Sequence, residues 1–376
     1  MANMLISADD HIDLGYLPRD LWTERLPKAL RERGPKVVEQ PDGREFWHCD
    51  GAAWGDWRAG KWYADSGRPR VALDRVALPG NFGQRPTTAA LRLEDMDRDG
   101  VEFSAMFPPI FGMRTQDKAL ARAIISAFND WACDFGKQAP KRLLPIAQLF
   151  PDDAEASTEE LKRIAKMGMR QVNFLVGTVT NAMYQPDWDP FWDTAEDLGI
   201  IVSYHVGGVS AMGSFPARET PAPTDRKPAF GMGLGDGATV FWQPTVGLFS
   251  FGVLERRPKL RFVLGESGTG WIPFQIQEMD YRCHQIKDRT GELPLKKLPS
   301  EVFRTQVWAT YQQDGVGLSL VDYFGEGHMM WASDYPHPDS TWPNSQAIVA
   351  KETAKLSPAV RDGILRENAR KFYALD

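Results

Sequence analysis

This chain of 376 residues lacks excess basic charge, CxxC cysteine pairs and long apolar runs. Its formal net charge of −6 argues against a general nucleic-acid-binding protein, because such proteins usually carry a basic face. The three cysteines, Cys49, Cys133 and Cys283, are widely spaced, so we expect reduced, structural thiols. No run approaches transmembrane length and no basic region precedes an apolar N-terminal one, so we expect a cytoplasmic protein without a membrane partner.

Three common signatures of nucleotide binding and covalent catalysis are also missing from the sequence. No glycine-rich G-x-G-x-x-G follows the first strand-like run, which removes the main dinucleotide-binding alternative. There is no P-loop lysine motif for phosphates, and no G-x-S-x-G follows a strand as a serine nucleophile would require. The chemistry of the chain must therefore be sought in other residues.

Short β-like runs alternate with amphipathic helical stretches, which is the pattern of a parallel α/β fold. Helical spacing of apolar residues is clear in 117–138 and in 153–167, where Ser157 and Thr158 are expected to start the helix. The candidate strands lie near 4–9, 102–107, 144–149, 170–175, 200–205, 260–265, 306–310 and 329–333. Eight strand–helix units predict a closed (β/α)8 TIM barrel, and we expect residues 1–376 to form a single domain.

Two stretches interrupt this alternation. Residues 40–88 carry four tryptophans among glycines, and the dipeptides Asp42-Gly43 and Asp50-Gly51 predict a β-hairpin insertion after strand 1. Residues 206–243 are rich in Gly, Pro and Ser, and are predicted to form a lid after strand 5. We expect the hairpin tryptophans to form apolar walls over a small, aromatic or planar substrate. These are Trp47, Trp54, Trp57 and Trp62.

Three of the six histidines lie at the ends of strand-like runs. They are His11, His205 and His337, and Asp9 and Asp334 accompany the first and the last of them. Aspartate and histidine are ligands suited to a divalent ion, and a TIM barrel builds its active site from the carboxyl ends of separate strands. This arrangement predicts a metalloenzyme.

Four segments resemble, in the correct order, the motifs of the metal-dependent amidohydrolase family that includes aminocarboxymuconate-semialdehyde decarboxylase. They read Ile6-Ser7-Ala8-Asp9-Asp10-His11, Ser203-Tyr204-His205, Gly265-Glu266-Ser267-Gly268-Thr269-Gly270-Trp271-Ile272-Pro273 and Trp331-Ala332-Ser333-Asp334-Tyr335-Pro336-His337. The resemblance extends from residue 5 to the helix after Pro358. It implies a barrel enzyme that uses a metal ion on a small organic molecule.

The same resemblance implies the metal ligands. In Asp9-x-His11 both side chains would reach the metal, since residues two apart in a strand point to the same side, and Asp10 would point elsewhere. His205 resembles the family's ligand at the end of strand 5. Asp334 resembles the strand 8 aspartate that binds metal and handles a proton. Zinc or manganese is the favoured ion.

Glu266 departs from the family pattern, because many members carry a histidine at this point of strand 6. A carboxylate cannot donate a proton at neutral pH unless burial raises its pKa. Glu266 could be a general base, a metal ligand, including one for a second ion, or a group that orients a neighbour. His337 could hydrogen-bond the substrate or lie behind the metal ligands.

Hydrolysis is the reaction that we expect first, with a metal-activated water whose proton Asp334 accepts with help from Glu266. The alternative is decarboxylation, because the acid-x-His motif resembles members that decarboxylate hydroxybenzoates; Asp334 would then protonate the ring carbon. A catalytically silent ligand-binding barrel is disfavoured because the predicted ligands are intact. We also expect a homodimer, since a hairpin needs partners for its apolar face.

Overall fold

The computed structural model describes residues 4–41, 45–57, 88–109, 115–207, 238–325, 327–337 and 340–375, with the backbone alone for 54–56. These ranges contain twelve β-strands. They are β1 (Leu5–His11), β2 (Lys36–Glu39), β3 (Glu45–Cys49), β4 (Ala52–Asp56), β5 (Val101–Phe107), β6 (Leu143–Pro145), β7 (Ala147–Gln148), β8 (Gln171–Leu175), β9 (Ile201–His205), β10 (Phe262–Gly265), β11 (Val307–Tyr311) and β12 (Met329–Trp331).

Parallel strands form a closed barrel in the order predicted from the sequence. One run of hydrogen-bonded strands is β1-β5-β6 and the other is β7-β8-β9-β10-β11-β12, with β6 and β7 separated by Ile146 alone. The barrel closes between β12 and β1. There the Asp334 N–H donates to the Asp9 carbonyl at 3.0 Å, and the His11 N–H donates to the Tyr335 carbonyl at 2.8 Å. The predicted TIM barrel is therefore confirmed.

Several strand boundaries differ from the prediction for identifiable reasons. β1 continues to His11 because its hydrogen bonds to the segment after β12 persist to that residue. β10 begins at Phe262 rather than at residue 260, since the Leu260 N–H is used in a turn to the Arg257 carbonyl. β12 ends at Trp331 rather than at residue 333, because the Ser333 N–H donates to a side chain of β1 instead of a neighbouring strand.

Thirteen α-helices lie in the described residues, most of them on the outside of the barrel. They are α1 (Leu21–Arg25), α2 (Ala89–Asp99), α3 (Lys118–Gly136), α4 (Ala154–Lys166), α5 (Asp189–Asp197), α6 (Trp242–Ser250), α7 (Ile272–Thr290), α8 (Pro299–Gln306), α9 (Gly315–Ser319), α10 (Val321–Phe324), α11 (Ser345–Glu352), α12 (Pro358–Asp362) and α13 (Asn368–Tyr373). None of them combines the length and the apolar character needed to cross a membrane.

The start of α4 corrects one prediction. The helix begins at Ala154 because Asp153 caps it, its carboxylate accepting a hydrogen bond from the Ala156 N–H at 2.9 Å. Ser157 and Thr158, which we expected at the start, lie inside the first turns. Their hydroxyls donate to backbone carbonyls of residues 150 and 154.

Apolar side chains fill both the barrel and the layer between barrel and helices. Inside the barrel, Ile6 and Ala8 of β1 meet Phe103 of β5, and α13 closes the floor with Phe372 and Tyr373. The opposite faces of the same strands pack against the surrounding helices. This packing leaves the carboxyl ends of the strands as the mouth of the barrel.

The insertion after β1 is an antiparallel sheet of three strands, β2-β3-β4, rather than a single hairpin. The Asp50-Gly51 turn between β3 and β4 is confirmed, with φ values of 49° and 81°. Trp47 is fully buried, and its indole N–H donates to the Leu14 carbonyl at 2.8 Å. The expectation that it lines the substrate is wrong, because Trp47 packs on Trp22 and on the segment that follows β1.

Parts of both predicted insertions lie outside the described residues. These are Asp42-Gly43, Trp62, the side chain of Trp54 and residues 208–237, which make up most of the predicted lid. The helix α6 begins at Trp242, at the end of the predicted lid, and the lid itself stays a prediction. The single domain of 1–376 stays a prediction.

Candidate metal centre

Five polar side chains from four barrel strands meet at the mouth. Asp9 and His11 end β1, His205 ends β9, Glu266 follows β10 and Asp334 follows β12. Four of the five are buried, and the Glu266 side chain retains 24% exposure. The cluster therefore faces the barrel mouth through Glu266.

The donor atoms of this cluster lie close together. Nε2 of His205 is 3.2 Å from Oδ1 of Asp9, and Nε2 of His11 is 3.1 Å from Oδ1 of Asp334. Oε2 of Glu266 lies 3.5 Å from Nε2 of His205 and 3.7 Å from Nε2 of His11. The side chains form two groups in which the potential ligand atoms lie within 4.8 Å of one another. One group is Asp9, His11 and His205, and the other is His11, Glu266, Asp334 and His337.

Hydrogen bonds outside the cluster orient two of these groups. The Nδ1 atom of His205 lies 2.8 Å from the Val206 carbonyl, so a proton on Nδ1 leaves the Nε2 lone pair directed at the cluster. Oδ2 of Asp9 accepts from the Glu266 N–H at 2.7 Å and from the Thr310 hydroxyl at 2.8 Å. Oδ1 of Asp9 is then the oxygen that faces the histidines.

The residues present fit a divalent metal ion. Among the described residues, both ring nitrogens of His11 and Oε2 of Glu266 are buried and have no hydrogen-bond partner. Leaving such atoms without a partner costs free energy, which coordination to a cation would offset. Imidazole nitrogens with carboxylate oxygens are donors for zinc and manganese.

The charges of the cluster shift the pKa values in different directions. Burial, together with His337 and His205, lowers the pKa of His11 well below its usual value, so the ring is neutral. Burial alone would also lower the pKa of His205, but Asp9 and Glu266 outweigh it and raise that pKa. Burial and the neighbouring Asp334 carboxylate raise the pKa of Glu266 well above its usual value. A bound cation would act in the opposite sense on Glu266.

Two cluster residues adopt the left-handed backbone conformation. Glu266 has φ of 50° and Asp334 has φ of 62°, a state that costs of order 1–3 kcal/mol in residues other than glycine. Asp9 holds both, because its carboxylate accepts the Glu266 N–H and its carbonyl accepts the Asp334 N–H. Next to them, Gly265 leaves room for the His205 ring, since a Cβ there would lie 2.7 Å from Cδ2 of His205.

Asp10 points away from the cluster, as the strand alternation predicts. Its carboxylate accepts from the Ser7 hydroxyl at 2.8 Å, the Ser333 hydroxyl at 2.6 Å and the Tyr335 N–H at 3.1 Å, and from Ser104 of β5. Asp10 therefore ties β1 to β5 and to the segment that carries Asp334.

His337 lies beside the cluster between two carboxylates. Its Nδ1 is 3.0 Å from Oδ1 of Asp334, and its Nε2 is 3.1 Å from Oδ2 of Asp13. The ring stacks on His11 with centroids 3.9 Å apart. His337 therefore lies next to the predicted ligands, and a hydrogen bond from it to the substrate stays a prediction.

Two residues that the sequence reasoning missed also contact the centre. Asp13 reaches it through His337, and the alternation that selected Asp9 and His11 continues to residue 13. Arg92 of α2 is buried, donates to the His11 carbonyl and lies over the Tyr335 ring at 5.2 Å. No motif indicates Arg92, because its partner is 81 residues away along the chain.

Comparison with known proteins identifies the family. The profile of the family described as amidohydrolase matches residues 46–375. The chain belongs to the amidohydrolase family. This amidohydrolase is an enzyme, and a curated relative is the gamma-resorcylate decarboxylase of Rhizobium sp. (strain MTP-10005). The two are 25% identical over 331 residues, covering 80% of this chain and 92% of the relative.

Solved structures share the fold of this amidohydrolase. An amidohydrolase from Mycobacterium avium subsp. paratuberculosis K-10 superposes with a TM-score of 0.77 at 18% identity, covering 99% of this chain and 98% of that chain. A dihydroxybenzoic acid decarboxylase from Polaromonas sp. JS666 superposes with a TM-score of 0.60 at 19% identity, covering 79% and 91%. The Polaromonas structure carries bound manganese and the inhibitor 2-nitroresorcinol.

Proposed function

We propose that this amidohydrolase is a metal-dependent decarboxylase of an aromatic carboxylic acid. The observation that carries the proposal is the cluster of Asp9, His11, His205 and Asp334, whose donor atoms are already grouped at the barrel mouth. Curated relatives of the chain are decarboxylases of gamma-resorcylate. They support the alternative that we named from the sequence, decarboxylation, better than the hydrolysis that we expected first.

In this proposal Asp9, His11, His205 and Asp334 hold a divalent ion. Manganese is favoured over zinc, because the related Polaromonas decarboxylase carries manganese. When bound, the ion supplies positive charge that holds and polarises the substrate carboxylate. A second ion beside Glu266 stays a prediction.

Asp334 is the proposed acid. It donates a proton to the ring carbon that bears the carboxylate, the bond to the carboxylate then breaks, and its electron pair returns to the ring as CO2 leaves. The reaction consumes one proton in exchange for the lost carboxylate, and Asp334 takes up that proton from solvent before each turnover. Asp334 is placed for this role because it is buried at the mouth beside His11 and His337.

Glu266 is the proposed hydrogen-bond donor to the substrate. Our expectation of hydrolysis rested on the inability of an ordinary carboxylate to donate at neutral pH. Burial and Asp334 raise the pKa of Glu266 and a bound cation would oppose that rise, so the donor role is proposed on the position of the side chain. Its partial exposure also lets it reach a molecule in the mouth.

A substrate screen tests the function. Manganese-loaded, zinc-loaded and metal-free protein would be incubated with hydroxybenzoates and, in parallel, with aryl amides and esters. We expect CO2 release from a hydroxybenzoate that depends on the metal, without cleavage of the amides or esters. Metal-dependent amide or ester cleavage without CO2 release would contradict the proposal and restore hydrolysis.

We also propose that the protein is a homodimer, although on other grounds than those the sequence suggested. Trp47 of the insertion is covered within the chain, so it needs no second subunit. Exposed apolar side chains instead lie on α7, where Phe274, Tyr281 and Ile286 are 62%, 51% and 41% exposed. Light scattering of wild type and of Phe274→Ser/Tyr281→Ser would test this. A wild-type monomer would contradict it.

A further inference from the structure

A second feature of the barrel mouth is a cavity of about 330 Å³ between α3 and the ends of β5, β7 and β8. The apolar wall on the barrel side includes Pro108, Pro109, Leu149, Phe150 and Leu175. All five follow or end barrel strands, so the cavity opens at the same end of the barrel as the metal centre. None of the predicted metal ligands is among its lining residues.

The cavity nevertheless adjoins the metal centre directly. Leu175 is the partner of His205 in the register of β8 and β9, and neighbouring strands lie about 4.8 Å apart. On the other side, Phe107 packs against the His205 ring with centroids 4.4 Å apart, and it immediately precedes Pro108. The buried side chains of Leu175 and Phe107 therefore lie between His205 and the cavity.

Charges at the cavity rim are compensated within the chain. Lys118 is 3.0 Å from Asp152, and Arg122 is 2.7 Å from Asp153. Both cations thus already have acidic partners from the loop after β7. A second anionic group of a ligand would have to compete with these carboxylates, whereas an apolar group needs no such exchange.

We propose that this cavity binds the uncharged, apolar end of the aromatic acid, an alkyl or aryl substituent remote from the reacting carboxylate. The inference rests on the proposed function for the orientation of the acid at the metal centre. An apolar cavity of about 150 Å³ accommodates benzene. A cavity of about 330 Å³ has room for a substituent of several carbon atoms beyond one ring.

Calorimetric titration of the manganese-loaded protein tests the cavity without requiring turnover. The probes are 2,6-dihydroxybenzoate and series of its methyl, propyl and pentyl derivatives, with the chain at each free ring position. Because burying one methylene contributes about 0.8 kcal/mol, affinity in one of these series should rise about fourfold per carbon.

A matched pair of variants on α3 locates the effect. Ala121 lines the cavity, so Ala121→Phe should fill it and abolish the gain from the alkyl chain, with affinity for 2,6-dihydroxybenzoate within about twofold of wild type. Ala119 is exposed on the same helix and is not a lining residue, so Ala119→Phe should keep the gain.

Each outcome separates the two proposals. Two results would overturn the cavity assignment and leave the proposed function untouched. One is binding of the parent acid with no increase in affinity in any alkyl series, and the other is an increase that Ala121→Phe does not remove. Loss of the parent acid's affinity in Ala121→Phe also overturns it, because the effect would then lie at the metal centre. An increase in affinity that depends on the cavity, without any CO2 release, would support the cavity assignment and contradict the proposed decarboxylase activity.

Discussion

The Nε2 atom of His205 lies 3.2 Å from Oδ1 of Asp9, although 196 residues separate the two along the chain. Both residues belong to barrel strands, so the contact depends on barrel closure and on the ends of β1 and β9 rather than on a helix or a lid. Asp9 also fixes the backbone of Glu266 and of Asp334. These contacts make Asp9 the residue around which the centre is organised.

Removing His205 should remove the metal. His205→Ala deletes a predicted ligand whose Nε2 is directed at the cluster, so metal content after reconstitution should fall to near zero while the barrel stays folded. Elemental analysis after gel filtration measures this. His284→Ala, at an exposed position of α7, is the control and should keep its metal. Wild-type metal content in His205→Ala would show that the assigned site is wrong.

Replacing Glu266 by glutamine separates its roles. The glutamine side chain keeps nearly the same shape and can still donate a hydrogen bond, but it cannot transfer a proton, and a general acid or base typically contributes about 10²–10⁴-fold. If Glu266 acts as the proposed hydrogen-bond donor, turnover at neutral pH should stay within a few-fold of wild type with metal retained, whereas a fall of at least about a hundredfold would identify proton transfer by Glu266 instead. Loss of metal along with activity would identify Glu266 as a ligand. Turnover within a few-fold of wild type in Glu266→Ala as well, which has no side-chain donor, would show that Glu266 is structural and that Asp334 acts without it.

His337 should matter through its contact with Asp334. His337→Ala removes the ring that bridges Asp334 and Asp13 and stacks on His11, so activity or metal affinity should fall about 10–100-fold. Steady-state kinetics and chelator competition measure the two effects. Asp13→Ala should show a smaller loss of the same kind. Unchanged kinetics and metal affinity in His337→Ala would contradict this role.

The sequence was most informative where a local rule decides the structure. Alternation along β1 separates Asp9 and His11 from Asp10, and an Asp-Gly dipeptide specifies the turn after Cys49. The rule says nothing about partners distant in sequence, and for that reason Arg92 was missed. The raised pKa of Glu266 likewise arises from burial and from Asp334, which only the folded barrel brings together.

Apolar patterns were ambiguous in a different way. The tryptophans of the insertion were clearly apolar, but composition does not say whether an apolar surface covers a substrate or the chain itself. Trp47 covers the segment after β1.

The start of α4 was ambiguous as well, since aspartate, serine and threonine can all cap a helix. Asp153 caps α4 because it immediately precedes the first helical residue, and the residue types alone do not show which of the three candidates has that position.

Asp99 should make stability depend on pH. Burial raises its pKa to about 7, although the Ser345 hydroxyl and N–H lower it. As pH rises from about 4 to 7 the unfolded chain ionises at this position while the folded chain stays protonated, so the contribution of Asp99 to stability falls. The free energy of unfolding of Asp99→Asn, relative to wild type, should therefore increase by at least about 1 kcal/mol from pH 5 to pH 8.

Urea titrations of both proteins at the two pH values measure this difference, and comparison with wild type cancels the other titrating groups. Asp97→Asn, at a more exposed position of the same helix, is the control and should show no such change. A difference that does not vary with pH would contradict the raised pKa of Asp99.

Trp47 should contribute to stability rather than to substrate binding. Truncation of a fully buried tryptophan typically costs about 3–5 kcal/mol, and Trp47→Ala would also leave the Leu14 carbonyl without its indole donor. Urea unfolding measures the loss, and Trp47→Phe should recover part of it. A variant with near-wild-type stability but a raised KM would contradict the structural assignment and return Trp47 to the substrate.

The central claim is that a proton replaces a carboxylate on an aromatic carbon. The most direct measurement is turnover of a ring-hydroxylated benzoate by manganese-loaded protein in D2O, with the product analysed by NMR and the released CO2 quantified. The account predicts CO2 in equal amount to product, deuterium at the carbon that carried the carboxylate, and loss of both in Asp334→Asn. Metal-dependent turnover that retains the carboxylate, with a hydrolysed bond elsewhere in the molecule, would contradict it.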